Sequence, residues 1–215
     1  MKNFKQYFKE DLKFNSKEND IEFTHGKSND GLPDKIDIKK NKLNEIDVYS
    51  IYYAPEYDSN KNHFKFSPAL HGLKKTNFNK KAVQWFLNKS AIASQKIIRK
   101  NKIDYIVMPK SSSALVSEFA KMLKQKNPKI EIIFDTFVKK SNLELKSIEP
   151  EKRKEIGNIF NASSNDVYNK LKNKNVLLLD DIMTTGTTLE MLNDLLKNHD
   201  VNNVVGLTLY KIGLK

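Results

Sequence analysis

The sequence predicts an α/β protein built on a doubly wound, mainly parallel sheet, with a small N-terminal portion of different character. Three observations point there. Between residues 82 and 210, short apolar runs alternate with segments of helical periodicity. One of those runs, Val176 to Leu179, is wholly apolar, as a central strand covered on both faces must be. The first 45 residues are instead polar and rich in Lys, Asn and Asp.

In chain order, Phe4, Tyr7, Phe8, Leu12 and Phe14 fall at near-helical spacing and predict one short helix, followed by irregular structure punctuated by Gly26, Gly31 and Pro33. Ile46 to Tyr53 is rich in β-branched and aromatic residues and reads as a strand, and His63 to Phe66 as another. Lys81 to Lys100 reads as a helix, because Val83, Phe86, Leu87, Ala91, Ser94, Ile97 and Ile98 repeat at three and four. Cations gather towards its C-terminal end, where the helix dipole favours them. Ile103 to Met108 is a short buried strand, Pro109 a turn, and Ser113 to Lys126 a helix. Ile130 to Val138 is the next strand. Lys139 to Asn175 is polar and too long for an ordinary α/β connection; such length marks a functional flap or an unstructured segment. Val176 to Leu179, a loop, a helix from Thr187 to Asn198 and a strand from Asn203 to Tyr210 complete the pattern.

Composition narrows the function classes. A chain of 215 residues fits one domain with a smaller appended lobe. No run approaches the 18 apolar residues of a membrane span, and the N-terminus lacks the apolar stretch of a secretion signal, so a cytoplasmic protein without membrane partners is expected. The absence of cysteine excludes disulfides, thiolate metal sites and cysteine nucleophiles. The net charge of +12 invites nucleic acid as a partner, but of 38 basic residues only Arg99 and Arg153 are arginine, and 24 asparagines accompany the lysines. That pattern fits a coding bias, and arginine is the residue that reads phosphates and bases in bidentate fashion. Nucleic acid is therefore the weaker reading, and a polyanionic small molecule would use the same charge. His25, His63, His71 and His199 lie in no metal-like spacing and read as surface or loop residues. Trp85 and Phe86 read as core. Tyr49, Tyr52, Tyr53 and Tyr57 suit strand packing better than base stacking.

The chemistry is concentrated in Val176 to Thr188. An apolar strand runs into Asp180-Asp181, two more apolar residues follow, and Thr184-Thr185-Gly186-Thr187-Thr188 opens a helix. Ligands of parallel sheets bind at the carboxyl ends of strands. A helix N-terminus offers unpaired N–H groups and roughly half a positive charge to a phosphate. Gly186 lets the backbone turn tightly, and the threonine hydroxyls can donate to phosphate oxygens. Two carboxylates just before this cradle would repel a phosphate, so they call for sugar hydroxyls, directly or through Mg²⁺. The alternative is a strand end followed by a threonine-capped helix.

The run Leu178 to Thr188 resembles the 5-phosphoribosyl-1-pyrophosphate (PRPP) motif of type I phosphoribosyltransferases, and its Thr-Thr-Gly form resembles the ComF-like branch. Arg153-Lys154-Glu155-Ile156-Gly157-Asn158-Ile159-Phe160 resembles, inexactly, a second stretch of that branch. The resemblance covers about residues 100–210. It implies a type I phosphoribosyltransferase fold, with residues 1–80 forming a hood that supplies the acceptor pocket and 81–215 the PRPP-binding core. Asp180 and Asp181 would hold the ribose hydroxyls and Mg²⁺, in part indirectly, and Thr184, Thr185, Gly186, Thr187 and Thr188 would wrap the 5′-phosphate. Pro109-Lys110-Ser111-Ser112-Ser113 falls where the family places its pyrophosphate loop; an ordinary Ser N-cap is the alternative. Residues 139–175 would be the mobile flap, with Lys139, Lys140, Lys152, Arg153 and Lys154 as its cations; for the lysines a solvated loop serves equally. The catalytic set is then Asp180, Asp181, Lys110 and Arg153. The implied reaction is transfer of phosphoribose from PRPP to a small-molecule nitrogen acceptor, with a homodimer compatible with it. A PRPP- or nucleotide-sensing regulator that binds nucleic acid without turnover is the second reading.

The departures count as well. The zinc-ribbon cysteines of many ComF-like proteins are missing, which leaves a competence role unsupported. Thr184 stands where enzymes acting on 6-oxopurines carry an aspartate, which argues against hypoxanthine or guanine as acceptor.

Overall fold

The computed structural model describes residues 38–54, 80–110, 114–139 and 159–212. Twelve elements follow one another: β1 (Lys39–Leu43), β2 (Ile46–Ala54), α1 (Lys80–Ala93), α2 (Gln95–Lys100), β3 (Tyr105–Pro109), α3 (Ala114–Lys126), β4 (Glu131–Lys139), β5 (Phe160–Ala162), α4 (Asn165–Leu171), β6 (Asn175–Met183), α5 (Thr187–Lys197) and β7 (Asn203–Ile212). The strands form one sheet in the order β1-β2-β7-β6-β3-β4-β5. Its five inner strands are mutually parallel, and β1 and β5 run antiparallel at the two edges. No helix among the described residues is long and apolar enough to cross a membrane.

The sheet is covered on both faces, as the wholly apolar run 176–179 requires. Leu177 and Leu179 pack with Phe86, Leu87, Phe119 and Leu123 of α1 and α3. Val176 and Leu178 pack on the opposite face with Val167 and Leu171 of α4 and Leu189, Leu192 and Leu196 of α5. All four β6 side chains are fully buried, and the burial of each stabilises the fold by about 1.5–3 kcal/mol. Tyr49 and Phe86 are core residues, as expected. His199 lies in an exposed turn, stacked on Tyr168 at 3.6 Å between ring centres.

Three expectations change. The single helix over 81–100 is two helices that meet at Ser94, whose hydroxyl donates back to the Ser90 carbonyl at 2.8 Å. Such back-bonding by serine bends a helix, and hydrophobic periodicity does not register it. The polar stretch 139–175 is not one long connection: its second half holds β5 and α4, anchored by buried Ile159, Phe160, Val167 and Leu171. Those apolar residues are too sparse to stand out in a polar sequence. The division at residue 80 also falls beyond two strands that belong to the sheet, since β2 pairs in parallel with β7 from Asp47↔Val205 to Ala54↔Ile212. The short N-terminal helix, the strand at 63–66 and the flap residues Lys140, Lys152, Arg153 and Lys154 lie outside the described residues.

Candidate functional site

The strand order decides where a ligand can sit. From β3 the chain steps outward through α3 to β4, and from β6 it steps the other way through α5 to β7. The connections therefore diverge at the boundary between β3 and β6, which is where open α/β sheets leave a crevice at their carboxyl edge. Pairing between these strands runs from Tyr105↔Val176 to Val107↔Leu178 and then ceases. Past that point β3 leads through Pro109 to Lys110, and β6 continues into Asp180-Asp181. A lysine thus follows the carboxyl end of one strand at this boundary, and a carboxylate pair lies in the last part of the other.

β6 is longer than its apolar run. It continues through Met183, so the acid pair lies within the strand, with Asp180 opposite Thr208 and Ile182 opposite Tyr210. The hydrogen-bond ladder with β7 carries it past the point where hydrophobicity ends. Strict alternation would group Leu179 with Met183. Instead Leu179 and Ile182 pack on one face and Leu178 and Met183 on the other. The register with β7 is unbroken from Asn175↔Asn203 to Met183↔Lys211, so it is the packing around the strand's end that departs from alternation beyond Asp180-Asp181. Both aspartates are half-buried, and the Asp181 N–H donates to Asp180 Oδ1 at 2.8 Å.

Beyond β6, Gly186 occupies the N-cap position of α5 with φ 84°, a left-handed conformation natural to glycine. It brings no side-chain acceptor to the helix, so α5 begins without a side-chain cap. Thr185 and Thr187 share a hydroxyl–hydroxyl bond of 3.0 Å, with the Thr187 N–H 3.5 Å from Thr185 Oγ1. One of the two O–H groups is used inside this pair, and the other remains a donor. Thr187 is buried, Thr185 and Thr188 are half-buried and Thr184 is exposed, so the loop presents its hydroxyls at graded depths.

The hairpin turn of β1 and β2 closes over this loop, which no motif announces. A Cβ at Gly186 would collide with Leu43 Cδ1. Asn44, at φ 43°, donates from Nδ2 to Glu190 Oε1 in the first turn of α5. Across the hairpin, Lys40 of β1 pairs with Asp47 of β2 at 2.7 Å. That bond keeps the Asp47 carboxyl below its ordinary pKa. At the same edge of the sheet, Lys211 Nζ donates to Asn41 Oδ1 at 2.6 Å, and burial, with Lys39 nearby, lowers its pKa. The one signal for Leu43 and Asn44 was the sequence Leu-Asn-Glu-Ile, a short turn flanked by apolar residues.

Of the expected site residues, Asp180, Asp181, Thr184, Thr185, Gly186, Thr187 and Thr188 run in one stretch from the end of β6 into α5, and Lys110 follows the end of the neighbouring strand β3. Lys110 is exposed, and Ser111, Ser112, Ser113 and Arg153 lie outside the described residues.

The model of the phosphoribosyl transferase domain matches residues 81–211, more than half of the chain. The chain belongs to the phosphoribosyl transferase domain family. No curated protein matches its sequence. Among solved structures the chain is similar to the purine phosphoribosyltransferase of Pyrococcus horikoshii (16% identity, TM-score 0.39, covering 60% of this chain and 87% of that one). It is also similar to a hypoxanthine-guanine phosphoribosyltransferase of Bacillus anthracis (21%, 0.42, 62% and 70%). The hypoxanthine phosphoribosyl transferase of Trypanosoma cruzi is a third (14%, 0.47, 64% and 68%). The phosphoribosyl transferase domain begins at α1, so β1 and β2 are sheet strands that precede the matched region.

Proposed function

We propose that this protein binds PRPP in the crevice between β3 and β6 and transfers its phosphoribosyl group to a nitrogen acceptor. The observation that supports the reading is the topological switch point between β3 and β6: Lys110 follows the end of β3, and the acid pair in β6 is followed directly by the Thr-Gly-Thr loop and the start of α5. In this reading Asp180 and Asp181 accept from the ribose 2′- and 3′-hydroxyls. The Thr184–Thr188 loop and the first N–H groups of α5 take the 5′-phosphate. Lys110, with Ser111, Ser112 and Ser113, takes the pyrophosphate. The C1′–O bond to pyrophosphate breaks, its electron pair leaving with the pyrophosphate, as the bond to the acceptor nitrogen forms on the opposite face, and the proton of that nitrogen passes to solvent. Positive charge develops on the ribose ring, and the carboxylates below it suit that charge. Arg153 is assigned to the flap as a cation for the leaving group.

Magnesium fits this donor set. Among the described residues no group of three or more His, Cys, Asp or Glu converges as a self-sufficient metal cage. Mg²⁺ commonly takes one or two carboxylates and completes its shell with substrate oxygens and water, which is what Asp180 and Asp181 beside a diphosphate provide. When bound, it would neutralise the leaving pyrophosphate. Within the family we place the chain with the ComF-like branch, on Thr184-Thr185-Gly186 and the stretch Arg153 to Phe160. We assign acceptor recognition to the part of the chain before residue 80. Thr184 offers no carboxylate to a purine N7, which disfavours 6-oxopurine acceptors.

Calorimetric titration of PRPP with Mg²⁺ tests the reading. Heat of binding and a rise in thermal midpoint are expected; millimolar PRPP giving neither would overturn it.

A further inference from the structure

β4 does not run smoothly beside β3. Val107 pairs with Ile133 and Pro109 with Phe137, so β3 advances by two residues while β4 advances by four. The extra chain is an outward excursion at Phe134-Asp135. Asp135 sits at φ 47°, rare for a residue with a side chain, and Phe134 is 43% exposed although it lies in a strand. Left-handed backbone is costly at a residue other than glycine. Bulges of this kind re-aim neighbouring groups and are frequent beside active sites.

What the excursion achieves is the placement of Thr136. Its side chain is fully buried, and its hydroxyl donates to the Ile133 carbonyl at 2.5 Å across the excursion. The same oxygen accepts the Met108 N–H of β3 at 3.4 Å. The Thr136 carbonyl accepts the Ser163 N–H at 2.8 Å, tying in the residue after β5. One position later, the Phe137 carbonyl accepts the Lys110 N–H at 2.9 Å. The last three residues of the β3 bank, Met108, Pro109 and Lys110, are therefore gripped from β4 by one hydroxyl, one carbonyl and one backbone pairing. A valine at 136 would fill the same space and could make neither hydroxyl bond.

We propose that Thr136 is a positioning residue for the pyrophosphate-binding turn, fixing the direction in which Met108-Pro109-Lys110 leaves the sheet. This rests on the assignment of Lys110 to pyrophosphate made above. Thr136 touches no ligand; it acts through the β3 backbone. The ribose phosphate end, held by β6 and α5, has no bond to Thr136 and serves as the internal control.

The test measures two probes separately by calorimetry on the full chain: Mg²⁺-pyrophosphate and ribose 5-phosphate. Thr136→Val is expected to weaken pyrophosphate about tenfold and to leave ribose 5-phosphate within twofold. Thr136→Ser, which keeps the hydroxyl, is expected to restore pyrophosphate to within threefold. Unchanged pyrophosphate affinity in folded Thr136→Val overturns the proposal, as does an equal loss for both probes, which marks a general structural role. If Thr136→Val does not fold, amide hydrogen exchange of the native protein decides. Pyrophosphate must then slow exchange at Met108 and Lys110 while ribose 5-phosphate does not, and no difference between the probes sinks it. A native protein that binds PRPP but shows no such difference defeats only this inference; one that binds neither probe nor PRPP defeats the assigned function as well.

Discussion

The two banks of the crevice are built by opposite strategies. On the β6 bank everything that matters is contiguous: strand, Asp180-Asp181, Thr184 to Thr188 and α5 follow one another without a break. On the β3 bank the chain itself contributes Pro109 and Lys110, and their direction is set from β4, by Thr136 and Phe137. A loop which is its own scaffold can be written as a short motif. A loop steered by a neighbouring strand is scattered over the sequence and leaves no local signature. Even the contiguous bank borrows something, since Leu43 and Asn44 of the β1–β2 turn press on Gly186 and Glu190.

The largest effect is expected at the acid pair. Asp180→Asn/Asp181→Asn keeps volume and removes two charges, each of which in the proposed site would support charge-assisted hydrogen bonds worth about 1.5–3 kcal/mol. PRPP affinity should fall roughly 10- to 100-fold per residue, since 1.4 kcal/mol is about a factor of ten. The thermal midpoint should hold or rise slightly, because two adjacent like charges are relieved. Affinity by calorimetry and midpoint by scanning on one sample check both halves; unchanged affinity in the folded variant would remove the β6 bank from the site.

Gly186→Ala tests how far the contiguous bank depends on the hairpin above it. Left-handed backbone and the collision with Leu43 should together cost about 1–3 kcal/mol of stability. Leu43→Ala in the same chain should return part of that loss but not the backbone part. Denaturant unfolding of the single and double variants gives the coupling directly, and strict additivity would mean that the Leu43 contact carries no energy.

On the other bank, Lys110→Met should weaken pyrophosphate about tenfold, the low end for a charge-assisted contact because Lys110 is exposed. Ribose 5-phosphate should be little affected. A variant that loses both probes equally would mean that the two banks do not divide the ligand between them.

The smallest effect concerns the hairpin's own support. The bond to Lys40 holds the Asp47 carboxyl below its ordinary pKa, so its contribution to stability is present above the usual carboxylate range. It fades as pH falls through the lowered value. Asp47→Asn should therefore lower the thermal midpoint slightly at pH 7, with the deficit shrinking to nothing in acid. A deficit that persists below the carboxylate range would assign it to something other than this charge.

What the sequence determined by itself is what local physics enforces. A wholly apolar run such as Val176–Leu179 has nowhere to go except between two covered faces. The order acid pair, hydroxyl–glycine loop, helix can be read without any partner, because each piece acts through its own neighbours in the chain. Tertiary structure decided the rest. It carried β6 through two aspartates by pairing with β7, and it folded part of a polar stretch into β5 and α4 around a few buried apolar residues. It made β3 and β6 neighbours, and it tied Met108 and Lys110 to β4 beside an excursion whose left-handed residue is an aspartate. These outcomes depend on hydrogen bonds and contacts between segments far apart in the chain. Their free energy exists only once the sheet has assembled, so no window of neighbouring residues contains it.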